Sequence, residues 1–196
     1  IYYRFPPWVM PTGLKTTSSP LTISQPAVQG VANAFQADLI DLQLNPLDNE
    51  VFVVTGVKID FLSLPQPDVT VLGFADGDFT ISITKTRPAA QLGIGDSSCI
   101  ASARINYFSD IGESTPLASS LKEFKTLNYV QENAQDAPPA AMDYLDIIAT
   151  NNYFIGISST NSPVQKVVGN VRIYGYRARA DASTYAALVQ SELLSA

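Results

Sequence analysis

Histidine is absent from these 196 residues, and cysteine occurs once, as Cys99. Without an imidazole there is no Ser-His-Asp triad, no Cys-His dyad, no His-ligated zinc and no histidine pH switch. A single cysteine excludes an internal disulfide and a Cys-based structural zinc site. Charge is scarce too. Asp, Glu, Lys and Arg make up 15% of the chain, against about 25% in an ordinary soluble domain. No apolar run reaches the ~20 residues a spanning helix needs, and no Asn-x-Ser/Thr sequon occurs. These absences argue against most enzyme classes, so we expect no catalytic residues and no cofactor.

What is present is a well-filled apolar inventory. Hydrophobic residues make up 46%, which excludes a disordered tail, a coiled coil and a collagen-like rod. The length suits one ordinary domain burying roughly 70% of its unfolded surface. The chain opens on Ile1 and not Met, so we expect a segment before it or one removed.

Twelve Lys and Arg face eighteen Asp and Glu, a net charge of −6. Phosphate contacts use Lys and Arg, and no basic footprint exists, so direct nucleic-acid binding is not expected. Residues 1–30 hold Arg4 and Lys15 and no acid; the other ten bases and all eighteen acids lie beyond. Near the C-terminus Arg172, Arg177 and Arg179 fall close together. Sparse charge leaves neutral and apolar groups on the surface, which fits a protein that meets other subunits.

Residues 1–30 read as an extended N-terminal arm. Pro6, Pro7, Pro11, Pro20 and Pro26 block helix, and Tyr2, Tyr3, Phe5 and Trp8 supply surface to bury. Such an arm straps either a neighbour or its own domain. Residues 31–180 read as a β-sandwich. Phe35, Ala37 and Leu39 alternate with polar residues; Val51, Val53, Thr55, Val57, Ile59 and Phe61 share one side of a long strand. Phe79, Ile81 and Ile83, then Ala101, Ala103 and Ile105, continue the period of two. Weaker strands are expected near 124–130 and 144–149, and firmer ones over 153–158 and 167–179. Residues 181–196 differ. Asp181 or Ser183 caps a helix whose Tyr185, Leu188 and Leu193 fall at helical spacing. A helix this short must dock on the sheet, a neighbour or a lipid surface. About eight strands with long connections predict an all-β, two-sheet jelly-roll-like sandwich.

Chemistry-bearing constellations are few. Asp76 and Asp78 flank Gly77 and are the best metal candidates, although Asp-Gly is also ordinary hairpin chemistry. Asp143 and Asp146 are a carboxylate pair of the kind a glycosidase uses, or solvated surface acids. Tyr107, Tyr174, Tyr176 and Trp8 suit stacking on sugar rings if they share an exposed face. Cys99 sits in an apolar strand and reads as an inert buried thiol.

The segments Asn152-Tyr-Phe-Ile-Gly-Ile-Ser and Val171-Arg-Ile-Tyr-Gly-Tyr-Arg-Ala-Arg-Ala, followed by a short helix, resemble the end of single jelly-roll capsid proteins of icosahedral viruses. The likeness is greatest to tailless archaeal and bacterial viruses with an internal membrane. The resemblance implies a virion location and a structural subunit that self-assembles into an icosahedral shell. Its partners would be copies of itself, other capsid proteins and an internal membrane surface. The expected subunit-interface residues are Tyr2, Tyr3, Phe5 and Trp8 of the arm, Arg172, Arg177 and Arg179, and Tyr185, Leu188 and Leu193 of the helix. The alternative is a carbohydrate- or cell-surface-binding sandwich of adhesin type.

Overall fold

The computed structural model describes residues 13–63, 77–111, 125–132, 135–138, 142–160 and 166–194. The arm residues Tyr2, Tyr3, Phe5 and Trp8, and the metal candidate Asp76, lie outside them. Eleven strands are described: β1 (Leu14–Thr16), β2 (Leu21–Val28), β3 (Gln36–Asp41), β4 (Glu50–Phe61), β5 (Gly77–Thr84), β6 (Cys99–Ile111), β7 (Lys125–Glu132), β8 (Gln135–Asp136), β9 (Asp146–Ile148), β10 (Asn152–Thr160) and β11 (Val168–Ala180). A helix, α1 (Ala182–Leu194), follows. Eight of the strands have six residues or more, as the alternation predicts.

The first sheet has β11 and β4 at its centre. β1 and β2 pair with the free side of β11, and β8 and β9 with the free side of β4. The second sheet runs β3-β10-β5-β6-β7. Every pairing is antiparallel. The pairs β2–β11, β3–β10, β4–β9 and β5–β6 nest inside one another. The chain is therefore one long antiparallel ribbon rolled so that its successive arms fall in alternate sheets, which is a jelly roll.

The core lies between the sheets. Phe52, Val54, Val57, Ile59, Val171 and Ile173 of the first sheet meet Phe79, Ile81, Ile83, Ile105, Ile155 and Ile157 of the second, all buried. Each contributes roughly 1.5–3 kcal/mol on leaving water.

Three expectations need correction. The arm does not extend to residue 30: β1 and β2 are strands of the first sheet, registered on β11 from Leu14 opposite Ala180 to Val28 opposite Val168. Pro26 is accommodated because β2 is an edge strand, where a missing N–H costs no ladder bond. The side chains of β4 do not share one face. Tyr174 faces Gly56 and Gly175 faces Val54, so Thr55 is an extra residue and the strand bulges there. Val57 and Ile59 point into the sandwich, whereas Val51 and Val53 join a second cluster. In β3 it is Ile40 that packs on the core, and Leu39 stays 57% exposed. Ile40 lies opposite the buried Tyr153 and Leu39 opposite Phe154, which fixes the face each takes.

Candidate interaction surfaces

The bulge at Thr55 gives the first sheet a second apolar face. Val51, Val53, Ile147, Ala149, Ala178 and Ala180 form a buried cluster on it, and Tyr185, Leu188 and Val189 of α1 pack against that cluster. The helix starts where β11 ends. Asp181 is its cap: its carboxylate accepts from the Thr184 N–H at 2.7 Å and the Ser183 hydroxyl at 2.8 Å. These bonds, the Thr184 N–H first, hold the Asp181 carboxyl below the usual carboxylate range.

The far end of α1 is fastened by a residue the sequence reading missed. Glu192 is 3% exposed. Its carboxylate accepts from the Ala149 N–H at 2.7 Å and the Thr150 N–H at 3.0 Å, just before β10. The helix carries no other charge, so Glu192 is a polar residue on an apolar stripe. That mismatch was the available signal. Beside it Lys85, after β5, pairs with Asp146 of β9 at 3.1 Å. The pair links the two sheets at the wall of a small cavity of about 230 Å³ that Tyr144, Leu188 and Glu192 also line.

The helix residues of the expected interface thus divide. Tyr185 and Leu188 face their own sheet, while Leu193 is 68% exposed. The three arginines divide as well. Arg172 lies on the outer face of the first sheet and donates to the Ser24 hydroxyl at 3.2 Å. Arg177 and Arg179, at odd offsets from it, take the other face near the end of the sandwich. Arg177 donates to the Leu42 carbonyl at 3.0 Å and lies 3.7 Å from Glu50. Arg179 pairs with Asp48 at 2.6 Å. Two of the three already hold acids of their own chain, because the turn at Pro46–Asp48 brings Asp48 and Glu50 beside the end of β11.

Among the described residues, the part of the outer face beyond α1 is mixed in character. At its end Val28 and Val168 lie opposite each other, and Leu62 bonds through its N–H to the Val168 carbonyl. Val28 is 47% and Leu62 65% exposed. Further along come Lys58 and Asp60, paired at 3.1 Å, then Arg172 and the exposed Tyr174. Tyr176 is half-buried against the helix cluster. The side chain of Tyr107 is outside the described set.

Asp78 is not free to ligate from this side. It pairs with Arg104 at 3.2 Å, accepts from the Thr80 hydroxyl at 2.7 Å and accepts from the Thr160 hydroxyl. Among the described residues, no three of His, Cys, Asp and Glu come together as a metal site. Asp143 is exposed, and Asp146 is bound to Lys85. Cys99 is partly buried, and burial pushes its thiol up to about 11. Another buried polar centre is Gln29, fully enclosed. Its side chain donates to the Ala34 carbonyl at 2.5 Å and accepts from the Ser159 hydroxyl and the Val167 N–H, each at 3.0 Å. It ties the β2–β3 connection to β10 and β11. Among the described residues, no helix is long and apolar enough to cross a membrane.

Comparison with known proteins adds little. No family model matches the chain, and no curated protein does. Among solved structures, VP1 of Trichodysplasia spinulosa-associated polyomavirus is similar, with 8% identity over 87% of this chain and 96% of that one and a TM-score of 0.26. A likeness that slight carries no argument about function.

Proposed function

We propose that this protein is a structural subunit that self-assembles, as a virion shell protein does. The observation that carries the reading is the outer face of the first sheet beyond α1: among the described residues Val28, Leu62 and Tyr174 are exposed there, with the Lys58–Asp60 pair and Arg172 beside them. An open strand face of mixed apolar and charged groups fits a second copy better than it fits a small ligand, which needs a concave site. The jelly roll supports it as a rigid block with a bulged, helix-buttressed sheet. Arg172, which pairs with no acid among the described residues, is the arginine placed to meet an acid of a neighbour. Copies of the chain are the partners, in a virion.

The test is the assembly state, read by light scattering with negative-stain imaging. Large regular particles are expected from the native chain. Leu62→Glu and Arg172→Glu are expected to leave a folded monomer. A monomer at every concentration and salt for the unsubstituted chain overturns the reading and turns attention to glycan binding at the Tyr174 face.

A further inference from the structure

The second sheet ends on β3, and among the described residues nothing pairs with the far side of that strand. The register tells which backbone groups are left there. The Leu42 N–H donates to the Asn151 carbonyl at 2.8 Å, one step beyond the pair Asp41 and Asn152. In an antiparallel ladder, bonded pairs alternate with unbonded ones. Gln36, Asp38 and Ile40 therefore bond to β10, and the N–H and C=O groups of Ala37, Leu39 and Asp41 point off the sheet. Gln43, at φ 53°, turns the chain away and ends this edge.

The β2 edge of the first sheet is built differently. There the Gln29 N–H donates to the Val167 carbonyl at 2.9 Å. The same counting puts Pro26 at an outward position, where it takes a donor away from the edge. β3 has no proline. At its middle stands Leu39, 57% exposed on the outer face and opposite Phe154. An edge with its donors intact and an exposed leucine at its centre is a template for strand addition.

This edge is complementary to itself. Two copies laid antiparallel about Leu39 put Leu39 opposite Leu39, Ala37 opposite Asp41 and Asp38 opposite Ile40. No acid faces an acid directly, and the two leucines cover each other across the axis. The two Asp38 side chains sit diagonally, each accepting from its own Gln36 amide at 2.7 Å. Moving the axis to Asp38 would set those two carboxylates directly opposite each other, which is unfavourable. In the Leu39 register about six backbone hydrogen bonds close.

We propose that β3 adds to β3 of a second copy, antiparallel and centred on Leu39, so that the two second sheets become one. The contact uses a different edge from the first-sheet face proposed above, and it holds or fails without that face. One short edge is far smaller than the ~1,200 Å² of a standard interface. The pair should therefore form at about 0.1–1 mM and be absent at low micromolar concentration.

Amide exchange read residue by residue, with sedimentation of the same samples, tests this. The chain carrying Leu62→Glu is used, because that change alters the first-sheet face and leaves β3 untouched. In the dilute monomer the Asp38 and Ile40 amides should be protected, while those of Ala37, Leu39 and Asp41 exchange fast. As dimers form, these last three should slow several-fold. Leu39→Pro removes an outward donor and no ladder bond, as Pro26 does in β2. It should keep its far-UV circular dichroism and stay monomeric at every concentration, and Ala37→Pro should behave alike. Dimers in which the three amides still exchange fast overturn the proposal. So does dimerisation that survives both proline variants, and so does a chain that is still monomeric at about 1 mM. Protection of the three amides already in the dilute monomer makes a segment of the same chain the occupant, which overturns it too.

Discussion

Removing the Glu192 carboxylate tests the account of how α1 is fastened. In Glu192→Ala two backbone N–H groups, those of Ala149 and Thr150, lose an acceptor that now lies 2.7 and 3.0 Å away. The carboxylate is 3% exposed, so water does not replace it while the helix stays down. A buried donor left unmade costs about 1–3 kcal/mol, and bonds to a charged acceptor sit at the upper end. Two such donors give roughly 3–5 kcal/mol, less what the protein regains by no longer desolvating a carboxylate. We take about 3 kcal/mol as the expected loss. For a chain of this size that lowers the melting temperature by about 6–12 °C. Thermal unfolding followed by circular dichroism reads the shift. Amide exchange at Ala149 and Thr150 reads the cause, since both should exchange faster in the variant. Glu192→Gln keeps one carbonyl acceptor but turns an NH₂ toward the second N–H, so its loss should fall between. A melting temperature unchanged within about 2 °C, with both amides still protected, would refute the reasoning.

Three further predictions concern single groups. Asp181 has its carboxyl held below the ordinary value by its capping bonds, so its contribution is present above pH ~4 and lost as pH falls through the folded pKa. The stability gap between the native chain and Asp181→Ala should be wider at pH 7 than in acid, narrowing as the carboxyl is protonated; denaturant melts showing a gap that does not narrow on acidification would contradict it. The Ser82 hydroxyl is buried and has no hydrogen-bond partner among the described residues. Ser82→Ala should therefore raise stability by about 1 kcal/mol, and a loss of that size in urea unfolding would show the hydroxyl is satisfied. Cys99, pushed up to about 11 by burial, should be thiolate in about one molecule in a thousand at pH 8. A disulfide reagent should then label it far more slowly than free cysteine, and labelling at the free rate would count against its burial.

The strands were legible because alternation survives wherever one face is buried. Phe79, Ile81 and Ile83 show this, all three lying in the core. What alternation cannot carry is a change of parity. The run from Val51 to Phe61 reads as one face, yet Thr55 shifts the register and sends Val51 and Val53 to the helix side. The signal for a bulge lay in the partner strand, at Gly175, where a Cβ would collide with the Val53 carbonyl and the Phe52 ring. The division of the arginine cluster, by contrast, follows from alternation alone. Arg172 is separated from Arg177 and Arg179 by odd steps along a strand, which sends it to the opposite face. The nearness of Asp48 and Glu50 came from strand order, and local sequence holds no trace of that. The helix was legible to within one residue at its start, but its Glu192 contact is with a turn more than forty residues away.

The order of synthesis has a consequence for how this ribbon closes. Among the described residues, β2 has β11 as its strand partner, and β4 pairs only with β8, β9 and β11. No strand of the first sheet can therefore find its neighbour until the last third of the chain has left the ribosome. The second sheet can begin sooner, because β5, β6 and β7 pair in succession. During translation, then, a β5–β6–β7 meander forms early, while the apolar β4 waits with both edges unpaired. Pairings this distant in sequence close slowly, and exposed edges invite association with other nascent chains. Pro26 in β2 blunts one of those waiting edges, while β4 has no proline to do the same.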